Sequence, residues 1–261
     1  APMALSVLLG RRQAIFAKIF SAIFGCLIIE QSLLFDFLIG SLLAGVVAVY
    51  ATHDLRKRGR LMRAGCYVGL VSLVLALMLG HIPFAADLSA MSPRTVGVQI
   101  LTVLLVGIIT AGIVGGFLPM LETLFGITTN ITWLELADLN HKLLKRMTIE
   151  APGTYHHSLV VARLAESAAE RVGASAIQCQ VCSYFHDIGK LIKPGYFIEN
   201  INPEDNPHDD LSPSMSVLVI HSHVKEGVDL ALKHKLKMPV IDVIQEHHGT
   251  SLVYSFYRRA L

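Results

Sequence analysis

The stretch AIQCQVCSYFHDIGK, residues 176–190, sets Val181, Phe185 and Ile188 at the three- and four-residue spacing of a buried helix face and brings the adjacent His186 and Asp187 to its end. Neighbours in a helix point about 100° apart, so both side chains can reach one site. Imidazole with carboxylate is ligand chemistry for a divalent metal. Four further histidines extend the pattern: His157 upstream, and His223 and the adjacent His247 and His248 downstream. His247 and His248 can share a site for the same reason, whereas His221 and His223, about 200° apart, cannot. A lone histidine is usually a surface or hydrogen-bonded core residue, but six candidates gathered near helix ends point to a centre. Six ligands exceed the four positions of a tetrahedral zinc. Two metals sharing one carboxylate would use them, and Asp187 is the natural bridge because it offers two oxygens where an imidazole offers one lone pair.

The surrounding sequence reads as all-helical. Leu136, Leu139, Leu143, Leu144 and Met147 predict one helix that ends before Pro152-Gly153. Thr154 is expected to cap the next helix, which carries His157 in its first turn and stops at Gly173. Residues 200–213, rich in Asn, Pro and Asp, read as a loop. Ser212-Pro213 opens a helix through His223 and Leu232, and Met238-Pro239 separates it from a last helix with Ile241, Ile244 and the His247-His248 pair. No strand pattern of comparable strength occurs.

The first half has a different character. The chain has 261 residues, 53% of them hydrophobic, and a mean hydropathy of +0.55, too apolar for an average soluble domain. Residues 1–121 hold 13 charged side chains and net +5; the remainder holds 29, net −3, with ten of the twelve histidines. Four segments, 13–30, 33–50, 64–82 and 95–121, approach or exceed the roughly 20 helical residues that cross a bilayer core, and they lack the polar stripe of a soluble bundle. Transmembrane residues 1–121, a connector with the first cytoplasmic helix at 122–150, and a metal-binding domain at 151–261 are the expected division. Arg56, Lys57, Arg58, Arg60 and Arg63 crowd one loop, and Arg11 and Arg12 precede the first segment, while Glu30, Asp36 and Asp87 lie on the opposite turns with Arg94. The basic side stays in the cytoplasm, so four crossings leave everything after 121 there. Anionic headgroups suffice to explain the basic loop. Lys18 is expected to snorkel from the basic end of the first segment. Without intramembrane charge in the later segments, an ion or proton path is disfavoured.

A secretory signal at 11–30 is excluded because another apolar segment follows at once, without a small-residue cleavage site. The chain begins at Ala1 inside an apolar stretch and reads as a piece of something longer. Cys26 and Cys66 are small hydrophobes. Cys179 and Cys182 form a C-x-x-C, but in a helical stretch and without the second pair that a zinc site needs. No basic stripe with interleaved aromatics appears, so no nucleic-acid polymer is expected as a partner.

The order His157, His186-Asp187, His223, His247-His248 resembles the HD-domain metal-dependent phosphohydrolases. The phrases EAPGTYHHS (150–158), YFHDIGK (184–190), NPHDDLSP (206–213), SHV (222–224) and EHHGT (246–250), with LFGITT (124–129) after the apolar segments, are similar to the 7TM-HD family of bacterial membrane phosphodiesterases that hydrolyse cyclic di-AMP. The resemblance implies a multi-pass membrane enzyme of the inner or plasma membrane, an all-α transmembrane bundle followed by a cytoplasmic HD domain, and a binuclear Mn2+ or Fe2+ centre. In that centre His157 and His186 hold one metal, Asp187 bridges, and His223, His247 and His248 hold the other; His156 and His221 are supporting or structural. Lys190, one turn beyond His186, meets a phosphate oxygen, where a lone lysine is otherwise a solvated side chain. The family also carries an earlier membrane helix, an extracytoplasmic region and a further aspartate ligand beyond His-His-Gly, none of which falls within residues 1–261. Cyclic di-AMP opening to pApA is the implied reaction. Alternatives left open are cyclic di-GMP, an alarmone or a short RNA as substrate, or a non-catalytic nucleotide receptor. Pro194-Gly195-Tyr196 has the residue types of an HD-GYP motif in another order and reads as a turn. A receptor has no need of all six ligands.

Overall fold

The computed structural model describes residues 2–53, 55, 58–82, 92–201 and 206–261. Arg56, Lys57 and Asp87, used above for orientation, lie outside the described residues. Every regular element among the described residues is helical, and packing divides the chain into Ala1–Ile131 and Thr132–Leu261.

The first unit comprises α1 (Pro2–Leu9), α2 (Arg11–Cys26), α3 (Leu34–Ala51), α4 (Arg58–Met78) and α5 (Pro93–Phe125). Its surface is apolar: Phe16, Ile23, Leu70, Leu101, Ile109 and Phe117 are each more than half exposed. Small residues, among them Ala22, Ala48, Ala64 and Ala111, share its interior with a few larger ones such as Leu61 and Leu118. That is the reverse of a water-soluble protein and suits lipid, where helices pack through small side chains. A Cβ on Gly107 would fall on the Gly65 carbonyl oxygen, so α4 and α5 meet backbone to backbone.

Three stretches, Gln31–Ala51, Gly59–Met78 and Pro93–Phe125, are long and apolar enough to cross a membrane. The segment expected at 13–30 differs. It folds as the 16-residue α2, about 24 Å long at 1.5 Å per residue, short of the roughly 30 Å core. The helix stops where the Leu27 and Ile28 N–H groups turn back to the Phe24 and Gly25 carbonyls, both at 3.1 Å. Lys18 donates to Ser41 Oγ of α3 at 2.5 Å instead of reaching out along α2.

The second unit holds α7 (Lys142–Glu150), α8 (Pro152–Val172), α9 (Ala176–Phe185), α10 (Pro213–Lys233), α11 (Met238–Glu246) and α12 (Tyr254–Ala260); α6 (Asn130–Leu136) leads into it. Leu143, Leu144, Met147, Val181, Phe185, Ile188, Val240 and Ile244 are fully buried in one core. The helix expected through 136–147 is broken. Asp138 accepts from the Asn140 N–H at 2.9 Å, and His141 Nδ1 then caps Leu143 N, a local side-chain bond that competes with helix. Thr154 is not the cap of α8, which begins earlier, with Pro152 in its first turn. The Thr154 N–H is instead accepted by Asn200 Oδ1 at 3.1 Å, so the cap comes from a distant segment. Gly173 ends α8 in the left-handed region at φ 72, and Ser212 caps α10 through Met215 N, both as expected. Cys182 donates to the Pro239 carbonyl, and burial pushes its thiol up to about 12, so it is inert at neutral pH.

Gly189, between Asp187 and Lys190, packs directly on α10: a Cβ there would fall on the His223 carbonyl and lie 2.5 Å from Gly227 N. Gly189→Ala is expected to cost about 1–3 kcal/mol by overpacking, whereas Gly195→Ala, with nothing within 4 Å of the added carbon, stays near wild type. Thermal unfolding of the two variants checks the contrast; equal melting temperatures would contradict it.

Candidate metal centre

Each expected ligand except His157 occupies the end of an element or a buried helix face. His186 closes α9, and Asp187 leaves helical geometry at φ −109, ψ 17, starting the tight turn Ile188–Ile192. His223 is buried in α10, and His247 and His248 follow the last residue of α11. His157 lies in the second turn of α8 with about half its side chain exposed.

Asp187 is almost wholly buried, and the five imidazoles gather around it. Oδ2 lies 3.2 Å from His186 Nε2 and 3.8 Å from His157 Nε2. Oδ1 lies 3.4 Å from His223 Nε2 and 3.5 Å from His247 Nε2, and His248 Nε2 is 3.2 Å from His223 Nε2. The ligand atoms form two groups that share the carboxylate: His157, His186 and Asp187, and Asp187, His223, His247 and His248. His156 and His221 join neither group; His156 is exposed beside Tyr155, and the His221 ring is 6.5 Å from that of His248.

The backbone sets the tautomers. Nδ1 of His186, His223 and His247 lies 2.7, 2.5 and 2.9 Å from the carbonyls of Ser183, Ile220 and Ile244. A carbonyl only accepts, so each Nδ1 carries the proton, and each neutral ring turns an Nε2 lone pair toward Asp187. Lone pairs thus face lone pairs, and Asp187 Oδ1 is buried without a hydrogen-bond partner. Such an arrangement is repulsive until a cation sits within it. The donor set, imidazole nitrogens and a shared carboxylate, suits a borderline divalent ion of the first transition row.

Electrostatics agree. Burial pushes His223 down to about 4 and lowers His157 and His248, keeping these lone pairs free at neutral pH. Burial would also lower His186, but the Asp187 carboxylate and the Ser183 carbonyl together raise it. Burial would raise Asp187, yet N–H donation from His186 and His247 when those rings take up a second proton, together with the charge of Lys190, holds it well below the usual carboxylate range.

Lys190 Nζ sits 2.9 Å from Asp187 Oδ2 and 2.7 Å from Glu199 Oε1. Lys190 and Glu199 line a cavity of about 420 Å³ that continues past His223 and His248 to Tyr196, His208, Phe256 and Arg259. Sequence reasoning passed over Glu199 and the aromatic wall. Glu199 lies in a segment without periodicity, and His208, though within the NPHDDLSP phrase, had no partner in sequence to give it a role.

Residues 1–129 match the family described as 7TM receptor with intracellular HD hydrolase, and residues 154–259 match the HD domain. The chain is 38% identical over 261 residues to the cyclic-di-AMP phosphodiesterase PgpH of Listeria monocytogenes serotype 1/2a (strain 10403S), covering 100% of this chain and 36% of that protein. It is 36% identical over 260 residues to PgpH of Bacillus subtilis (strain 168), covering 98% and 36%. The chain thus spans just over a third of the length of these curated relatives. The crystal structure of the L. monocytogenes PgpH HD domain in complex with cyclic-di-AMP aligns at 45% identity and a TM-score of 0.45 over 46% of this chain and 56% of that one.

Protons compete with metal for imidazole. As pH falls, His186, raised, takes its proton first, while His223 resists until about pH 4. The His157–His186 group is therefore expected to release Mn2+ at higher pH than the His223–His247–His248 group. Metal per protein measured down a pH series, with His186→Ala as the comparison lacking the first step, checks this; simultaneous release would refute it.

Proposed function

Because the chain belongs to the family of 7TM receptors with an intracellular HD hydrolase, we propose that it is a membrane-bound phosphodiesterase that opens cyclic di-AMP to pApA at a binuclear Mn2+ or Fe2+ centre. The observation that carries this reading is the two-sided Asp187: one buried carboxylate with an imidazole group on each oxygen. His157 and His186 hold one ion, His223, His247 and His248 the other, and Asp187 serves both. The choice of cyclic di-AMP rests on the two PgpH relatives.

When bound, the metal pair lowers the pKa of water to make a nucleophile at neutral pH and polarises the phosphoryl group. The chain's own residues orient the substrate. The Nδ1–H bonds to backbone carbonyls hold the imidazoles rigid, so no reorganisation is needed as charge develops. Lys190, kept protonated because Asp187 and Glu199 outweigh the effect of its burial, meets a non-bridging phosphate oxygen at the mouth of the cavity. The aromatic wall of Tyr196, Phe197 and Phe256 gives a base a face to stack on. One water is consumed: its oxygen forms a new bond to phosphorus as the P–O bond to a ribose 3′ oxygen breaks, the leaving 3′ oxygen takes up a proton, and the ring becomes the linear dinucleotide.

The metal-binding unit faces the cytoplasm in this reading. The basic loop at 56–63 stays inside; α4 then leads out and α5 leads back. Those two crossings alone set the side on which the unit lies, so the short α2 leaves it unchanged. A reporter fused after residue 130 is expected to be active only if it is a cytoplasmic one.

In the full-length protein loaded anaerobically with Mn2+ or Fe2+, cyclic di-AMP is expected to yield pApA in preference to cyclic di-GMP hydrolysis. His186→Ala and Asp187→Ala are each expected to abolish turnover; near-normal rates in either would sink the proposal. Tight nucleotide binding with metals present and no cleavage would favour a receptor.

A further inference from the structure

Lys190 is held by two carboxylates, and only one of them belongs to the metal centre. The other, Glu199, is in a short turn, Ile198–Asn200, that is fastened to the start of α8. Glu199 Oε1 accepts from Lys190 Nζ at 2.7 Å and from Thr154 Oγ1 at 3.0 Å. Asn200 Oδ1 accepts from Thr154 N at 3.1 Å, and its Nδ2 donates to Thr154 Oγ1 at 2.8 Å. Gly153 lies so close beneath that a Cβ would fall on the Glu199 carbonyl. Thr154 is three residues before His157, so the turn that grips Lys190 is anchored to the helix that delivers a metal ligand.

An ammonium has three N–H donors. Asp187 and Glu199 take two, which fixes the direction of the third, and Nζ lies 5.0 Å from the centre of the Phe197 ring in the cavity wall. Divalent ions on Asp187 draw on the charge that would otherwise balance Lys190, and they repel an ammonium beside them. Glu199 is then its remaining counter-charge.

We propose that Glu199 is the positioning residue of this site: it holds Lys190 beside the loaded metal centre with one N–H directed at the phosphodiester, and it acts only through Lys190. The proposal rests on the phosphodiesterase reading above, in which Lys190 meets the phosphate. The competing explanation is that Glu199 merely ties the 198–200 turn to α8.

A double-mutant cycle in the full-length, Mn2+-loaded protein separates the two. Glu199→Gln keeps the shape and the Thr154 contact and removes the charge. It is expected to lower kcat about 10–100-fold, the range for groups that support a metal site's ligands, with KM, metal content and melting temperature close to wild type. In a Lys190→Met background the same substitution is expected to change kcat less than about twofold, because the group it acts through is gone. Should Lys190→Met be too slow for steady-state timing, single-turnover cleavage of cyclic di-AMP with protein in excess replaces it, with the same non-additivity expected in the rate. Equal losses in both backgrounds, loss of metal in Glu199→Gln, or wild-type turnover in Lys190→Met would each overturn the proposal. Activity surviving in Asp187→Ala would instead overturn the underlying reading, so the two failures are told apart.

Discussion

The second unit is organised around one buried negative charge. Asp187 is 2% exposed, and a carboxylate removed from water is costly unless cations or donors surround it. Its neighbours are imidazoles whose protons are committed to backbone carbonyls on the far side of each ring, leaving lone pairs where donors would be needed. Lys190 satisfies one face of Oδ2 only. The fold therefore confines a charge that a metal ion could balance. The helices that carry the ligands are held in place by an apolar core that contains none of them.

That core explains how distant residues become one site. Phe185 and Ile188 are buried on either side of the His186-Asp187 pair, so the pair cannot turn away without exposing both. Ile244, three residues before His247, is buried in the same cluster, and the His247 Nδ1 bond to its carbonyl passes that anchoring to the ring. Gly189 and Gly227 let α10 approach the Asp187 turn closely enough for His223 to reach Oδ1. Side-chain volume is spent on rigidity wherever a ligand is near, and removed where backbones must touch.

The membrane unit solves a different problem. Within lipid, apolar burial no longer separates inside from outside, and close contact of small residues takes its place. Gly65, Gly69 and Gly107 bring α4 and α5 together, while large apolar side chains cover the outer surface. Lys18, bonded to Ser41 within this unit, shows that a polar pair between helices can meet the need for which an isolated lysine would otherwise reach toward the headgroups.

Much of this was legible in the chain itself. Periodicity together with caps and Pro or Gly breaks marked α8 to α11, because an amphipathic helix must repeat at the period of its buried face, whereas α12 carried no such mark. The adjacency of His186 with Asp187 and of His247 with His248 announced shared sites, since 100° of rotation keeps neighbours on one side. Apolar length set the candidate membrane segments apart from the rest, although α2 is shorter than the segment expected there because turn bonds after Phe24, invisible to composition, end it. The break after α6 turned on an Asp138–Asn140 bond that competes with helix locally. Only the tertiary structure decided which carboxylate oxygen faces which histidines, that Asn200 and not Thr154 itself satisfies the start of α8, and that Glu199 closes on Lys190. Apart from that of Asp187 with its neighbour His186, those contacts join residues 9 to 60 positions apart. Sequence records the local preference of each segment, but the meeting of two segments depends on how a shared core brings them into contact.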